Sequence, residues 1–444
     1  MAVFSRVHTR NLSPPHILAG GFLMVIMLGT VLLSLPVSQA SAIAFNDVLF
    51  TAVSAVTVTG LVVVSTGHDF TMFGQVIIMI MIKTGGLGLM TFAIMTIMVL
   101  GKRIGLKERL IMSEAFGQRQ LGGIVRLVKI LFVFSVVMEL TATAILALRW
   151  VPEFGWGFGL FTSLFHAISA FNNAGFSLWD DSLMGFVGDP VVNILITFLF
   201  ITGGIGFTVI YDLMTTKRFR QYALHTKVML IGTLVINVVA VLVIFLLEMS
   251  NPSTIGDLNT YEQLFASYFQ AVTPRTAGFN SVEIGDLRTP TVLFMMLLMF
   301  IGGGSASTAS GIKLTTFIII VYAVITFLKG KKDIHILERK VSEDIIMKAL
   351  AIFVISGSAV FIGIFILSIS EPDAGLVMIA FEVFSAFGTV GLSMGLTGEL
   401  SAVGQYLVMV LMFIGRLGPL TLAFTLATRD NRSISYPKED VFTG

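Results

Sequence analysis

Apolar segments of two lengths alternate along this chain. Long charge-poor windows such as 12–36 and 228–247 have about the 20 residues that a helix needs to cross a ~30 Å hydrocarbon layer. Between them lie apolar segments of about 11 residues, which as helices are roughly 16 Å long and reach only the middle of a membrane. We predict half-helices near 46–56, 160–171, 261–272 and 376–387.

Each half-helix runs into a glycine-centred loop, and the arrangement occurs four times. The glycines Gly60, Gly175, Gly278 and Gly391 are separated by 115, 103 and 113 residues, which indicates internal repetition. The long helices before the half-helices are predicted at 14–36, 124–148, 226–249 and 346–369, and those after the loops at 71–100, 190–214, 290–328 and 402–427.

The predicted fold class is therefore an all-α integral membrane protein. It has four membrane–pore-loop–membrane repeats, with eight transmembrane helices and four re-entrant half-helices around a pseudo-fourfold central pore. The predicted repeats are 1–101, 102–216, 217–329 and 330–444.

A common register supports this interpretation of the four glycines. An aromatic residue lies ten positions before each one: Phe50, Phe165, Tyr268 and Phe381. The alternative is that the glycines only let helices pack closely. One glycine alone would favour that alternative, whereas four in one register favour loops around a pore.

Composition and charge agree with a membrane protein of defined orientation. Only 12% of residues are charged and mean hydropathy is +0.93, against about 25% charged residues in a soluble protein. The absence of cysteine excludes disulfides and thiolate chemistry. Basic residues lie at both termini and between repeats, whereas the loops within repeats are acidic. The positive-inside rule then predicts cytoplasmic termini and outward pore mouths. The acidic loops are either solvated surface or a mouth that concentrates cations.

The four loops have the chemistry of a site for a monovalent cation. The C-terminal end of a half-helix carries partial negative charge, and extended backbone after it offers carbonyl oxygens in place of water. None of the loops places a carboxylate at its glycine, as a divalent site would require. The predicted selectivity filter comprises Thr57, Val58, Thr59, Gly60, Asn172, Asn173, Ala174, Gly175, Arg275, Thr276, Ala277, Gly278, Gly388, Thr389, Val390 and Gly391. Arg275 is expected to orient its loop from the outer face of that loop rather than to coordinate an ion.

A second glycine motif recurs inside the helices that follow the loops: TGGLG (84–88), TGGIG (202–206), IGGGS (301–305) and IGRLG (414–418). In the first two repeats we favour close helix approach as its role. The third repeat is interrupted by a flexible Gly/Ser/Thr stretch, which at mid-membrane must line an aqueous cavity. In the fourth repeat Arg416 replaces a glycine and can hold that stretch; the alternative is that it pairs with Glu382 or Glu139. The predicted gate comprises Gly302, Gly303, Gly304, Ser305, Ala306, Ser307, Thr308, Ala309, Ser310, Gly311, Lys313 and Arg416.

Other functional classes fit less well. An alternating-access transporter for a small solute also uses broken helices, but usually in inverted pairs, whereas these repeats share one orientation. An intramembrane enzyme would need paired catalytic side chains, and His166, the one histidine well inside an apolar segment, has no evident partner. The chain has no nucleotide-binding motif, so nucleotide control would require a partner. The roles of Lys83, Glu139 and Glu382 are left open.

The pattern resembles the Trk/Ktr/HKT superfamily of K⁺ transporters over essentially the whole chain, with the membrane subunits of bacterial Ktr systems as the most similar branch. The resemblance rests on the four repeats, the four loop glycines, the small-residue stretch 302–313 and Arg416. It implies K⁺ as the transported ion and a gating role for 302–313 and Arg416. Plant-type relatives that favour Na⁺ have serine where this chain has Gly60, so the resemblance implies K⁺ preference.

The resemblance also implies partners and a location. It implies a homodimer with one pore per protomer in the bacterial cytoplasmic membrane, with no nucleic acid bound. A cytosolic ring of RCK-type (KtrA-like) subunits would carry the nucleotide, ATP/ADP or NAD, and Na⁺ is a possible activator. No covalently bound cofactor is expected on this chain.

Overall fold

The computed structural model describes residues 14–88, 124–331 and 333–418. Its spanning structure is helical, and the helices follow in the order α1 (Pro14–Leu33), α2 (Phe45–Thr57), α3 (Met72–Gly86), α4 (Ile124–Phe154), α5 (Trp156–Phe171), α6 (Pro190–Gly204), α7 (Phe207–Thr215), α8 (Leu224–Glu248), α9 (Thr260–Val272), α10 (Thr289–Phe300), α11 (Leu314–Leu328), α12 (Glu343–Ser370), α13 (Leu376–Gly388) and α14 (Ala402–Leu417). A short antiparallel hairpin, β1 (His335–Ile336) and β2 (Arg339–Lys340), connects α11 to α12.

The first long helix of each predicted repeat is confirmed. Within the described ranges, α1, α4, α8 and α12 are the helices that are long and apolar enough to cross a membrane unbroken. Their exposed residues are large and apolar, as expected of side chains that face lipid rather than water; Leu148, Leu234 and Phe361 are examples.

The four half-helices are also confirmed as α2, α5, α9 and α13, and α5 starts four residues earlier than predicted, at Trp156. The aromatic residues of the common register anchor them: Phe50, Phe165 and Phe381 are fully buried. The fourth, Tyr268, donates a hydrogen bond from its hydroxyl to Thr197 Oγ1 at 3.0 Å. The half-helices therefore lie inside the bundle, where their C-terminal ends can meet.

The prediction of a continuous helix at 190–214 is wrong. The chain breaks into α6 and α7 at Ile205–Gly206, and the two helices are bent by 96°. Gly206 has a φ of +114°, which only glycine adopts readily. Segment 290–328 is interrupted where the small-residue stretch was noted, between α10 and α11.

The second helices of repeats one and four, as far as they are described, also end near a glycine with positive φ. α3 and α14 each end just before a glycine with positive φ, Gly88 at +82° and Gly418 at +86°. The remainder of the predicted helices 71–100 and 402–427 lies outside the described residues. So do the basic linker between repeats one and two and both termini, and the orientation, the repeat boundaries and the count of eight transmembrane helices stay predictions.

Candidate functional site: a ring of four loops

Left-handed backbone follows the end of each half-helix. The residue two positions before each loop glycine has a positive φ: Val58 (58°), Asn173 (58°), Thr276 (70°) and Thr389 (48°). The glycines themselves have φ values of 92°, 68°, 78° and 92°. Such conformations are unfavourable for residues with a Cβ atom and persist only where the surrounding structure enforces them, often at functional sites.

The four glycines form a closed ring. A Cβ atom added to Gly60 would collide with Ala174 O and lie 3.0 Å from Gly175 Cα. The same atom on Gly175 would lie 2.8 Å from Gly278 Cα and 3.1 Å from Ala277 O. On Gly278 it would collide with Val390 O, and on Gly391 with Thr59 O, which returns to the first loop. The four loops thus meet around one axis, and each glycine lies against the carbonyl that precedes the next one.

Hydrogen bonds to the half-helices hold this backbone. In repeats one, two and four, the amide before the glycine donates to a carbonyl of the half-helix: Thr59 N to Ser54 O at 2.9 Å, Ala174 N to Ser169 O at 2.8 Å and Val390 N to Ser385 O at 2.8 Å. The side chains of Ser54 and Ser385 also accept from the amides of Gly60 and Gly391 at 3.1 Å. This role was not predicted from the sequence, although a serine lies six positions before the glycine in these three repeats.

A vestibule opens on one side of the ring. Its volume is about 390 Å³, and all four loop glycines line it. Asp180, Asp181 and Glu283 also line it. Carboxylates therefore lie at the mouth, whereas the ring itself offers neutral oxygens, an arrangement that attracts cations to the entrance.

The glycines of the second motif lie against the half-helices. A Cβ atom on Gly85, Gly203 or Gly415 would collide with the carbonyl oxygen four residues before the loop glycine of its own repeat: Val56 O, Phe171 O and Phe387 O respectively. The predicted close approach in repeats one and two is therefore confirmed. In repeat three the matching Gly302 faces Ser310 O of its own loop instead.

The intramembrane stretch 302–313, which we call the loop of repeat three, packs against the break between α6 and α7. Gly304 N donates to Gly204 O at 2.7 Å, and Phe207 N donates to Ala306 O at 2.7 Å. The two ends of the loop are joined by a bond from Gly302 N to Ile312 O at 2.8 Å. The break in the second repeat and the interruption in the third therefore satisfy each other's backbone groups, as a membrane interior requires.

Arg416 fastens the loop of repeat three to repeat one. Its guanidinium donates to Thr308 O and to Ser310 Oγ (3.2 Å) of the loop, and to Gly85 O and Gly86 O (3.1 Å) at the end of α3. The alternative, pairing with Glu382 or Glu139, is wrong. Glu382 accepts from the hydroxyls of Ser393 and Thr397 at 2.7 and 2.5 Å, and Glu139 pairs with Lys83. Lys313 Nζ donates to Ala309 O at 2.7 Å within the loop.

A direct bond links this loop to the ring, and sequence analysis did not anticipate it. Thr308 Oγ1 donates to Asn173 Oδ1 at 2.7 Å, and Asn173 Nδ2 donates to Thr276 Oγ1 at 3.4 Å. Asn173 therefore contacts both the loop of repeat three and the segment that precedes Gly278 in the ring.

Arg275 contacts the helices around its loop, and its role in orienting the loop stays a prediction. Its Nη1 donates to Asn237 Oδ1 of α8 at 3.2 Å, and it lines a cavity of about 20 Å³ together with Gly204 and Gly303. Because Arg275 lies at the end of its half-helix, before the chain turns to the axis, its side chain points outward to the surrounding helices. Asn172 and Gly388, at the same position of their repeats, likewise contact surrounding helices.

Comparisons with known proteins agree with this architecture. The family model for the TrkH cation transport protein matches residues 15–435. The chain is 58% identical to Ktr system potassium uptake protein B of Bacillus subtilis (97% of each chain) and 45% identical to the Vibrio alginolyticus protein of that name (97% of this chain, 95% of the relative). It is 36% identical to the potassium/sodium uptake protein NtpJ of Enterococcus hirae over the full length of both.

A solved structure shares the fold. The crystal structure of the potassium transporter TrkH from Vibrio parahaemolyticus superposes with a TM-score of 0.73, covering 95% of this chain and 87% of that one at 21% identity. The all-α membrane architecture, the four-loop ring and the full-length family match agree, and the chain belongs to the TrkH family of cation transport proteins.

Proposed function

We propose that this chain takes K⁺ up into the cell through the ring of four loops. The observation that carries the proposal is the closed ring, in which the carbonyls of Thr59, Ala174, Ala277 and Val390 lie next to four glycines without side chains. Neutral backbone oxygens replace the hydration shell of a weakly hydrated monovalent cation. The relatives of this chain are named for potassium uptake.

The electrostatics of the ring support a cation. Each half-helix directs its C-terminal end toward the ring, and such an end carries partial charge equivalent to roughly −0.5. Four ends at one axis stabilise a dehydrated cation and repel an anion. The inside-negative membrane potential favours its entry by about 2.3 kcal/mol per 100 mV.

The loop of repeat three and Arg416 form the gate in this proposal. The loop lies against the ring through Thr308 and Asn173, and Arg416 fixes it to α3. An arginine on the cytoplasmic side of a cation filter also raises the electrostatic barrier to permeation. Opening then requires these bonds to exchange for water or for other partners.

The wider assembly follows the Ktr resemblance. We propose a homodimer with one pore per protomer, multi-pass in the bacterial cytoplasmic membrane with both termini in the cytoplasm. Control comes from a cytosolic RCK-type ring that binds the nucleotide, and Na⁺ acts as an activator. The chain itself transports ions and catalyses no reaction.

Reconstitution in liposomes tests the proposal. Purified protein should drive uptake of K⁺ and Rb⁺ down an imposed inside-negative potential much faster than uptake of Na⁺. Empty liposomes supply the background rate. Equal uptake of K⁺ and Na⁺, or saturable exchange of an organic solute with no ion current, would contradict the proposal and favour alternating-access transport.

A further inference from the structure

A buried ion pair lies beside the ring, and the proposed gate and filter do not use it. Lys83 Nζ of α3 lies 2.5 Å from Glu139 Oε1 of α4, and the two side chains are 14% and 6% exposed. Ser135 Oγ accepts a further bond from Lys83 at 2.9 Å. Two buried charges are costly unless close contact and hydrogen bonds compensate them, so their presence needs a reason.

The carboxylate of the pair holds a residue at the start of the second filter segment. Asn172 Nδ2 donates to Glu139 Oε1 at 3.0 Å and to Ile168 O at 2.9 Å. Asn172 directly precedes Asn173, whose left-handed backbone turns the chain toward the axis. The ion pair is thus hydrogen-bonded to Asn172, the residue directly before the left-handed turn of this loop.

The C-terminal end of α3 also packs closely against Asn172. A Cβ atom on Gly86 would lie 2.6 Å from Asn172 Cβ and 2.7 Å from its Cγ. Gly86 O also accepts from Arg416 at 3.1 Å. Asn172 therefore lies between the carboxylate of Glu139 and a helix end that carries the contact to Arg416.

Packing alone does not explain the charges. Lys83 directly precedes the second glycine motif, and the matching residues of the other repeats are apolar: Ile201, Phe300 and Phe413. Apolar side chains of similar volume often replace a buried ion pair with no loss of stability. Repeats one and two keep this pair of charges because Asn172, at the start of the second loop, is bonded to one of them.

We propose that the Lys83–Glu139 pair is a positioning device that holds Asn172 and thereby sets the preference of the ring for K⁺ over Na⁺. Lys83 compensates the carboxylate, and Glu139 supplies the acceptor that fixes the Asn172 amide. The inference rests on the proposed K⁺ pathway, since it assigns the pair to the selectivity of that pathway.

The inference is tested with two double variants that differ in whether the side chain at position 139 can accept a hydrogen bond from Asn172. In K83M/E139L both charges and the acceptor are lost, whereas K83M/E139Q loses the charges but keeps an amide oxygen for Asn172. Asn172→Ala removes the bond from the other side and leaves the ion pair intact. The measurement is the ratio of Rb⁺ to Na⁺ uptake in liposomes.

K83M/E139L and N172A should lower the Rb⁺/Na⁺ ratio about tenfold, the change expected when a hydrogen bond to a charged group is lost. K83M/E139Q should restore most of the ratio. Arg149→Gln, which removes an exposed ion pair to Asp189 in the same repeat, should leave it unchanged.

Unaltered ratios in N172A and K83M/E139L would overturn the inference, as would equal losses in the Gln and Leu double variants. If a double variant does not fold, N172A decides alone. Gly60→Ser distinguishes a failure of the proposed function from a failure of the positioning role alone. A wild type without Rb⁺ preference refutes the proposed function, whereas a selective wild type, an impaired G60S and an unaffected N172A refute the positioning role only.

Discussion

Left-handed backbone recurs twice in each of the four loops, once at the glycine and once two residues earlier. At the glycine no Cβ atom fits, because the neighbouring loop occupies its place. At Val58, Asn173, Thr276 and Thr389 a side chain is present, so the strain is tolerated and must be offset by the bonds around it. The ring is therefore specified at single residues, and single substitutions should change its selectivity.

Gly60→Ser tests this directly. A serine there must adopt a φ of +92° and its Cβ atom would press on Ala174 O. The left-handed conformation alone costs about 1–2 kcal/mol, and relief by movement of the loop displaces the oxygens. The K⁺/Na⁺ uptake ratio should fall about tenfold, which corresponds to ~1.4 kcal/mol. Gly357→Ser is the matched control, since a Cβ atom there meets nothing within 4 Å. Equal ratios in both variants would contradict the filter assignment.

Arg416 is the second residue whose replacement should have a large effect. Arg416→Gln removes the positive charge and most of the donors that join the loop of repeat three to α3. K⁺ flux should rise by about tenfold, the equivalent of one charge-assisted hydrogen bond. Arg416→Lys keeps the charge but not the planar fork, so an intermediate flux is expected in the same liposome assay. Unchanged or lower flux in R416Q would remove the gate interpretation.

At the scale of elements, the half-helices and the broken helices support each other. The close contact of Gly85, Gly203 and Gly415 with half-helix ends brings the second helices of repeats one, two and four directly behind a loop. The end of the half-helix is therefore fixed in height and direction, and with it the loop that follows.

Gly203→Ala tests this contact. The added methyl group would collide with the backbone oxygen of Phe171, an atom that cannot move without shifting α5. Overpacking of this kind typically costs about 1–3 kcal/mol. The variant should unfold at a lower temperature in detergent, whereas Gly20→Ala, in an open position of α1, should not. Wild-type thermal stability of G203A would show that the contact is not needed.

The sequence predicted the elements whose length and apolar pattern are distinctive. The half-helices are short, apolar and followed by glycine, and the first long helices are uninterrupted, so both were identified. The break at Ile205–Gly206 was missed because the apolar pattern continues through it. Its cause is tertiary, since Gly204 and Phe207 bond to the loop of repeat three.

Side-chain contacts between distant residues also could not be predicted from the sequence. The partner of Arg275, Asn237 of α8, was not predicted because it lies 38 residues away along the chain. The bond between Thr308 and Asn173 spans 135 residues and has no sequence signature. The loop glycines were found because they repeat, and repetition reveals a shared constraint without knowledge of the fold.

At the scale of the whole molecule, the four repeats share a ring but differ around it. Repeat three supplies the loop, repeat four supplies Arg416, and repeats one and two share the Lys83–Glu139 pair. Each repeat contributes one glycine to the ring, whereas the loop of repeat three and Arg416 lie to one side of it and form the gate only in the proposed function.

Regulation is tested at this scale. Expression of the chain in a bacterium that lacks K⁺ uptake should restore growth at low K⁺ when a KtrA-like subunit is co-expressed, because the proposed function has this cytosolic partner control the gate. The chain alone should restore growth less well, and growth with R416Q should depend less on the KtrA-like subunit. Equal growth of the wild type with and without the KtrA-like subunit would contradict control by such a partner.

The most direct measurement is anomalous X-ray scattering from crystals soaked in Rb⁺. A peak is expected on the axis of Gly60, Gly175, Gly278 and Gly391, at the level of the carbonyls of the preceding residues. K⁺ should displace it at concentrations at which Na⁺ does not. A ring without a peak, or one from which Na⁺ displaces Rb⁺ as readily as K⁺ does, would contradict a K⁺ filter at the four loops.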